Sequence, residues 1–114
     1  MTSPLSAEDN KLVVLARATK ARTGAAEGAA LRDLDGRTYA SATLALPSLD
    51  ISAVGGCLAM AASSGAQGLE AVVVLGTEQL SDADRAALRD FAGAGLLVHL
   101  GSASGAISTS VVID

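Results

Sequence analysis

Apolar residues recur along this chain first with a helical period and then with the alternation of strands, and the two periods change places several times. Over residues 7–21, Leu12, Leu15 and Ala16 share one side of an amphipathic helix. Ser6 followed by Asp9 approximates a capping box at its start, and Gly24 breaks it. Residues 27–32 and 37–43 are short β-compatible runs flanking Asp33-Leu34-Asp35-Gly36, and an Asp-Gly pair in that setting predicts a hairpin. Residues 47–50, Pro-Ser-Leu-Asp, read as a loop. From 51 to about 64 the helical period returns on Ile51, Val54, Leu58 and Ala61. Gly55 and Gly56 weaken that helix by about 1 kcal/mol each relative to Ala, and in return they permit close approach of another backbone. Residues 65–68, Gly-Ala-Gln-Gly, close it, and the Val-rich run at 70–75 has the composition of a strand buried on both faces. Ser81-Asp82-Ala83-Asp84 caps a further helix that runs to about Ala92 and stops at Gly93 and Gly95. Strands follow at 96–100 and 108–113. The link between them is too short for a crossover helix, so they pair antiparallel.

These elements predict an α/β fold: a mixed five-stranded sheet with a parallel centre, antiparallel edges and helices on both faces. A chain of 114 residues suits a single domain spanning 1–114, with residues 1–5 as a frayed terminus. Half of the residues are hydrophobic, mostly Ala, Val and Leu, while Tyr39 and Phe91 are the sole aromatics. So few rings make a base-stacking platform hard to build. The net charge of −4 argues against a nucleic-acid or anionic-membrane partner. Lys11, Arg17, Lys20 and Arg22 fall on the wet side of the first helix. Apolar runs are too short to span a bilayer and no signal-like segment precedes the first helix, so a cytoplasmic location is expected.

Cys57 stands alone, which excludes an intramolecular disulfide and a cysteine-rich zinc site, and its apolar neighbours predict a buried small hydrophobe. His99 is the sole histidine and falls on the same strand face as Leu97, with no partner visible in sequence. Ser52, Ser63, Ser64, Ser102 and Ser104 lack a nucleophile-elbow setting. The glycine-rich stretch 101–105 joins two strands, opens no helix and has no following Lys, so it is not a phosphate cradle.

The ordered elements resemble the cytidine deaminase family, and several stretches do so in sequence. Glu27-Gly28-Ala29-Ala30-Leu31 is similar to that family's Val-Gly-Ala-Ala-Leu strand. Asp35-Gly36 stands where the family has its hairpin Asp-Gly. The stretch 81–91, Ser-Asp-Ala-Asp-Arg-Ala-Ala-Leu-Arg-Asp-Phe, resembles the family's Cys-x-x-Cys-Arg-Gln-x-Leu-x-Glu-Phe helix. The resemblance implies a three-layer α/β/α fold and a zinc-dependent hydrolase acting on a nucleoside base. Such an enzyme needs three Cys or His ligands to lower the pKa of a bound water, and a Glu to shuttle protons.

At the matching positions those groups are missing. The family's Cys-Ala-Glu triplet aligns with Val54-Gly55-Gly56, and its Cys-x-x-Cys with Ser81 and Asp84. Its ribose-gripping Asn-x-Glu aligns with Thr43-Leu44-Ala45, and its base-stacking Phe with Ala25. Ala25, Thr43, Ala45, Val54, Gly56, Ser81 and Asp84 are therefore expected to outline a vestigial pocket, with no catalytic residue, no metal and no cofactor. Ser81 and Asp84 serve instead as N-cap and N3 partner. The expected function is that of a non-catalytic deaminase-fold protein, an oligomeric interaction or assembly subunit. The resemblance implies a homo-oligomer, a tetramer before a dimer, formed through the helix carrying Gly55, Gly56 and Ala59. The alternatives are a sensor of nucleoside-like small molecules and, by family alone, surviving cytidine deaminase activity.

Overall fold

Ser6 opens the first helix as the sequence predicts, its hydroxyl accepting a hydrogen bond from the Asp9 amide at 3.0 Å in the computed structural model, which describes residues 5–114. This helix, α1 (Ala7–Thr23), carries Glu8 and Asp9 in its first turn and Lys20 and Arg22 in its last, the arrangement favoured by the helix dipole. The frayed terminus expected over residues 1–5 falls, for 1–4, outside the described residues. Leu5 packs against the core beneath α1.

Strands β1 (Gly28–Asp33) and β2 (Thr38–Ala42) form the predicted hairpin. Its turn is organised by Asp33, a buried carboxylate that accepts from the Asp35 amide, the Arg37 amide and the Tyr39 hydroxyl at 2.9–3.0 Å. Burial opposes the charge, yet these donors hold Asp33 below the usual carboxylate range. Gly36 supplies the positive φ of 86° that the turn requires.

The expected loop at 47–50 is instead part of a small second hairpin, β3 (Leu44–Leu46) and β4 (Leu49–Ile51). Ile51 pairs with Leu44 in that ladder, so the next helix, α2 (Ala53–Ser63), starts later than its apolar period indicates, with Ser52 as N-cap. The remaining elements are β5 (Leu69–Leu75), α3 (Asp82–Ala92), β6 (Leu97–Gly101) and β7 (Ile107–Val112).

The main sheet has the order β2-β1-β5-β6-β7. Its expected parallel centre narrows to the β5–β6 pair, because β1 lies between β2 and β5 and runs antiparallel to both. The last two strands pair antiparallel, as their short link demands. Alternating residues divide the core. On one face Ala29, Leu31, Val72, Val74, Val98 and Leu100 pack under α2 and α3. On the other, Ala30, Ala71, Val73 and Leu75 pack under Leu12, Val13 and Ala16 of α1. Each wholly buried Leu or Val contributes about 1.5–3 kcal/mol. Among the described residues no helix is long and apolar enough to cross a membrane.

Candidate functional site

The N-termini of α2 and α3 meet at one end of the sheet, beside the start of β1 and the loop after β5, and enclose a cleft of about 470 Å³. Glu27, Thr43, Asp50, Ser52, Ser81 and Asp84 supply its polar lining, over an apolar floor of Val74 and Leu80. The hydroxyls and Asp84 are tied to nearby groups. The Ser52 hydroxyl accepts from the Gly55 amide at 2.9 Å, capping α2, and donates to Asp84 Oδ1 at 2.6 Å. Asp84 is buried, and its amide donates to the Ser81 hydroxyl at 3.1 Å, capping α3. A continuous polar stitch thus ties the two helix ends together. Across the cleft, the Thr43 hydroxyl accepts from the Glu27 amide at 3.0 Å and holds β2 to the start of β1. Burial pushes the Glu27 carboxyl above its ordinary range, and the negative charge of Asp84 pushes it further.

Of the positions expected to outline a vestigial pocket, Thr43, Ser81 and Asp84 line this cleft together. The others do not. Val54 is fully buried in the core between α2 and the sheet. Gly56 faces β2, where a Cβ would collide with the Ser41 side chain, so its close approach is to its own chain. Ala45 lies on exposed β3, and Ala25, half-buried, is absent from the lining. Sequence reasoning missed Ser52, Glu27 and Asp50. Ser52 had a local signal, since it precedes the apolar helix and stands three residues before the amide it caps. Glu27 and Asp50 had none, because their convergence depends on the tertiary fold.

A zinc ion does not fit this donor set. Zinc in such a site is held by thiolates and imidazoles, or by one carboxylate among them. The side chains at the two helix ends are hydroxyls and a single carboxylate, with Ser52 bonded to Asp84 and Ser81 engaged by the Asp84 amide. Cys57 cannot substitute. It is fully buried, 3.5 Å from the Ala29 carbonyl, and burial pushes its thiol up to about 12. Among the described residues no group of His, Cys, Asp and Glu could hold a metal ion.

His99, for which sequence shows no partner, has two. It is buried on the α1 side of the sheet, with Nδ1 2.7 Å from Ser110 Oγ and Nε2 3.2 Å from Asp9 Oδ2. Arg32 joins the cluster, donating to Asp9 at 2.9 Å and to Glu70 at 3.0 Å.

The family profile described as cytidine deaminase-like matches residues 5–105. The fold is similar to that of the cytidine deaminase from Burkholderia pseudomallei, with a TM-score of 0.81 and 20% identity over 96% of this chain and 94% of that one. It is also similar to the cytidine deaminase from Mycobacterium leprae, with a TM-score of 0.75 and 18% identity over 95% of each chain. Against that from Mycobacterium tuberculosis the TM-score is 0.71, with 24% identity over 82% of this chain and 85% of that one. No curated protein matches the chain. Profile, element order and sheet topology agree, and the chain belongs to the cytidine deaminase-like family, as a degenerate member with no metal-binding cluster among its described residues.

Proposed function

We propose that this protein no longer deaminates cytidine and acts as a homo-oligomeric assembly or interaction subunit. The observation that carries this is apolar surface gathered around α2. Leu46 and Leu49 on the β3–β4 hairpin are 54% and 48% exposed, and Leu44 and Met60 are exposed with them. A shallow groove between α2 and α3, lined by Gly55, Leu58, Ala59, Ala62 and Phe91, offers small side chains against which such leucines can pack. Ala59 is exposed and Gly55 half-buried, whereas Gly56 is packed against Ser41. Light scattering coupled to size exclusion at micromolar concentration is expected to give a tetramer, or failing that a dimer. Leu46→Asp with Leu49→Asp should dissociate it. A wild-type monomer would overturn the reading. The net charge of −4 supports a protein partner over nucleic acid, and the single buried thiol suits a cytoplasmic location.

The loss of deaminase chemistry follows from a register that the cleft favours. Ser52, not Val54, sits beside Ser81 and Asp84, so Ser52-Ala53-Val54 takes the place of the family's Cys-Ala-Glu and keeps its middle Ala. Replacing Ser52, Ser81 and Asp84 together by Cys should create a site that retains stoichiometric zinc through gel filtration. Replacing Val54, Ser81 and Asp84 by Cys should not. The reverse result would put Val54, not Ser52, at the first ligand position.

A second reading, a small-molecule sensor, is favoured by the openness of the cleft. With Glu27, Asp50 and Asp84 in its lining, it suits neutral or cationic nucleoside-like ligands and disfavours phosphates. Thermal-shift measurements should show a rise with nucleosides or bases and none with nucleotides. No rise with any of them at high excess would end this reading.

A further inference from the structure

The cluster beneath α1 lies outside the cleft and plays no part in the assembly reading. We propose that Ser110, His99 and Asp9 form a nucleophilic serine site that accepts acyl groups from small uncharged esters. The geometry is that of a nucleophile, a base and a group that orients the base. Ser110 Oγ is 2.7 Å from His99 Nδ1, and His99 Nε2 is 3.2 Å from Asp9 Oδ2. Each oxygen of Asp9 has one task, because Oδ1 accepts from Arg32 at 2.9 Å. Burial opposes the Asp9 charge, but the bonds from Arg32 and His99 hold its carboxyl below the usual range, so it stays ionised. An ionised Oδ2 claims the proton on Nε2, which leaves Nδ1 as the acceptor for the serine hydroxyl. The imidazole is 5% exposed and the aspartate 16%, so both are shielded, while Ser110 itself is open to solvent.

The placement is rigid and accessible at once. His99 and Ser110 stand directly opposite each other in the β6–β7 ladder, so the sheet and not a loop sets their separation. Next along the ladder, Leu97 faces Val112, and these are 37% and 57% exposed, an apolar rest for an acyl chain. Strand β7 carries no charged residue, which favours an uncharged substrate. It is also the sheet's edge strand, so alternate amides point outward as donors for an oxygen that gains charge. Arg32 Nη1 is buried without an acceptor among the described residues, and leaving such a donor unpaired is unfavourable. The same guanidinium holds a cation on Asp9.

In the reaction, the Ser110 oxygen bonds to the ester carbonyl carbon as its proton passes to His99 Nδ1. The carbon–alkoxy bond breaks, and the departing alcohol takes that proton. Water then adds to the acyl carbon, again giving a proton to His99, and releases a carboxylic acid as the proton returns to Ser110.

The test is mass-spectrometric mapping of the intact protein after exposure to a small alkyl fluorophosphonate. Ser108, exposed on the same strand, is the internal control. General-base activation should label Ser110 about 100-fold faster than Ser108. His99→Gln, which keeps hydrogen bonding but removes the base, should bring Ser110 down to the rate of Ser108, and Ser110→Ala should abolish the accompanying hydrolysis of p-nitrophenyl acetate. Equal labelling of Ser110 and Ser108 in the wild-type protein would overturn the proposal, whether or not any variant folds. So would undiminished labelling in a folded His99→Gln protein.

Discussion

The cleft between α2 and α3 and the cluster beneath α1 are both polar, and they are built on opposite principles. The cleft is lined by short hydroxyl and carboxylate side chains, and its capping bonds close within one helical turn, Gly55 to Ser52 and Asp84 to Ser81. Its long-range bonds are those of Ser52 to Asp84 and of the Glu27 amide to Thr43. The cluster is made mostly of charged or ring side chains bonded across distant segments: Asp9 of α1, Arg32 of β1, Glu70 of β5 and His99 of β6, with the Ser110 hydroxyl of β7. A site built mainly on helix caps can fold without a metal, because the caps close within their own turns. A network whose groups satisfy one another must be kept whole, since each member left behind is a buried charge or an orphaned donor.

The largest expected effect comes from breaking the network. Arg32→Met leaves Asp9 partly buried against His99 with no guanidinium, and the midpoint of denaturant unfolding should correspond to a loss of about 3 kcal/mol, the low end for a buried pair because Glu70 keeps access to water. Adding Asp9→Asn should recover part of that loss. A cost below about 1 kcal/mol, the range of a surface pair, would erase the contrast between the two regions.

Acid should separate the regions next. Asp9 and Asp33 titrate below their ordinary value of 3.8, so the folded state favours their ionised forms. Their contribution is present above 3.8 and disappears as pH falls through the lowered values. Circular dichroism across an acid titration should therefore show stability falling steeply below about pH 4 in the wild type. The fall should be shallower in Asp9→Asn.

Within the cleft, single changes should cost less. Ser81→Ala removes one helix cap, a loss of about 1 kcal/mol. Ser52→Ala removes a cap and also the donor to buried Asp84, and should cost about 1–2 kcal/mol. If Ser52→Ala proved no worse than Ser81→Ala in thermal unfolding, the stitch between the helices would carry no weight.

The sequence was most legible where structure is local. The caps at Ser6 and Ser81, the Asp33–Gly36 turn and the β6–β7 pairing all arise from interactions within a few residues or from a link too short for alternatives. Ile51 misled because an extended residue happened to fall at helical spacing before α2. The same ambiguity bears on the vestigial triplet, since Val54 is buried in the core and the side chain at the mouth of the cleft is Ser52. The cluster was illegible for a different reason. Asp9, Arg32 and His99 are far apart in the chain, and nothing in their local patterns distinguishes them from solvated charges or a solitary core histidine.

The smallest effect, and the one of opposite sign, belongs to Glu27. Its carboxyl is raised above the ordinary 4.5 by burial and by Asp84, so the folded state holds its proton more tightly than the unfolded chain does. That contribution is present below 4.5 and is lost as pH rises through the raised value, which makes ionised Glu27 a mild liability at neutral pH. Glu27→Gln should therefore stabilise the protein near pH 7, by no more than about 0.5 kcal/mol because the group is part-solvated. The gain should vanish near pH 4, where the wild-type carboxyl is itself protonated. Denaturant midpoints at the two pH values give the answer directly. A loss of stability at neutral pH would mean that Glu27 has a partner holding its charge. The cleft would then belong with the cluster beneath α1, as a site kept for its electrostatics.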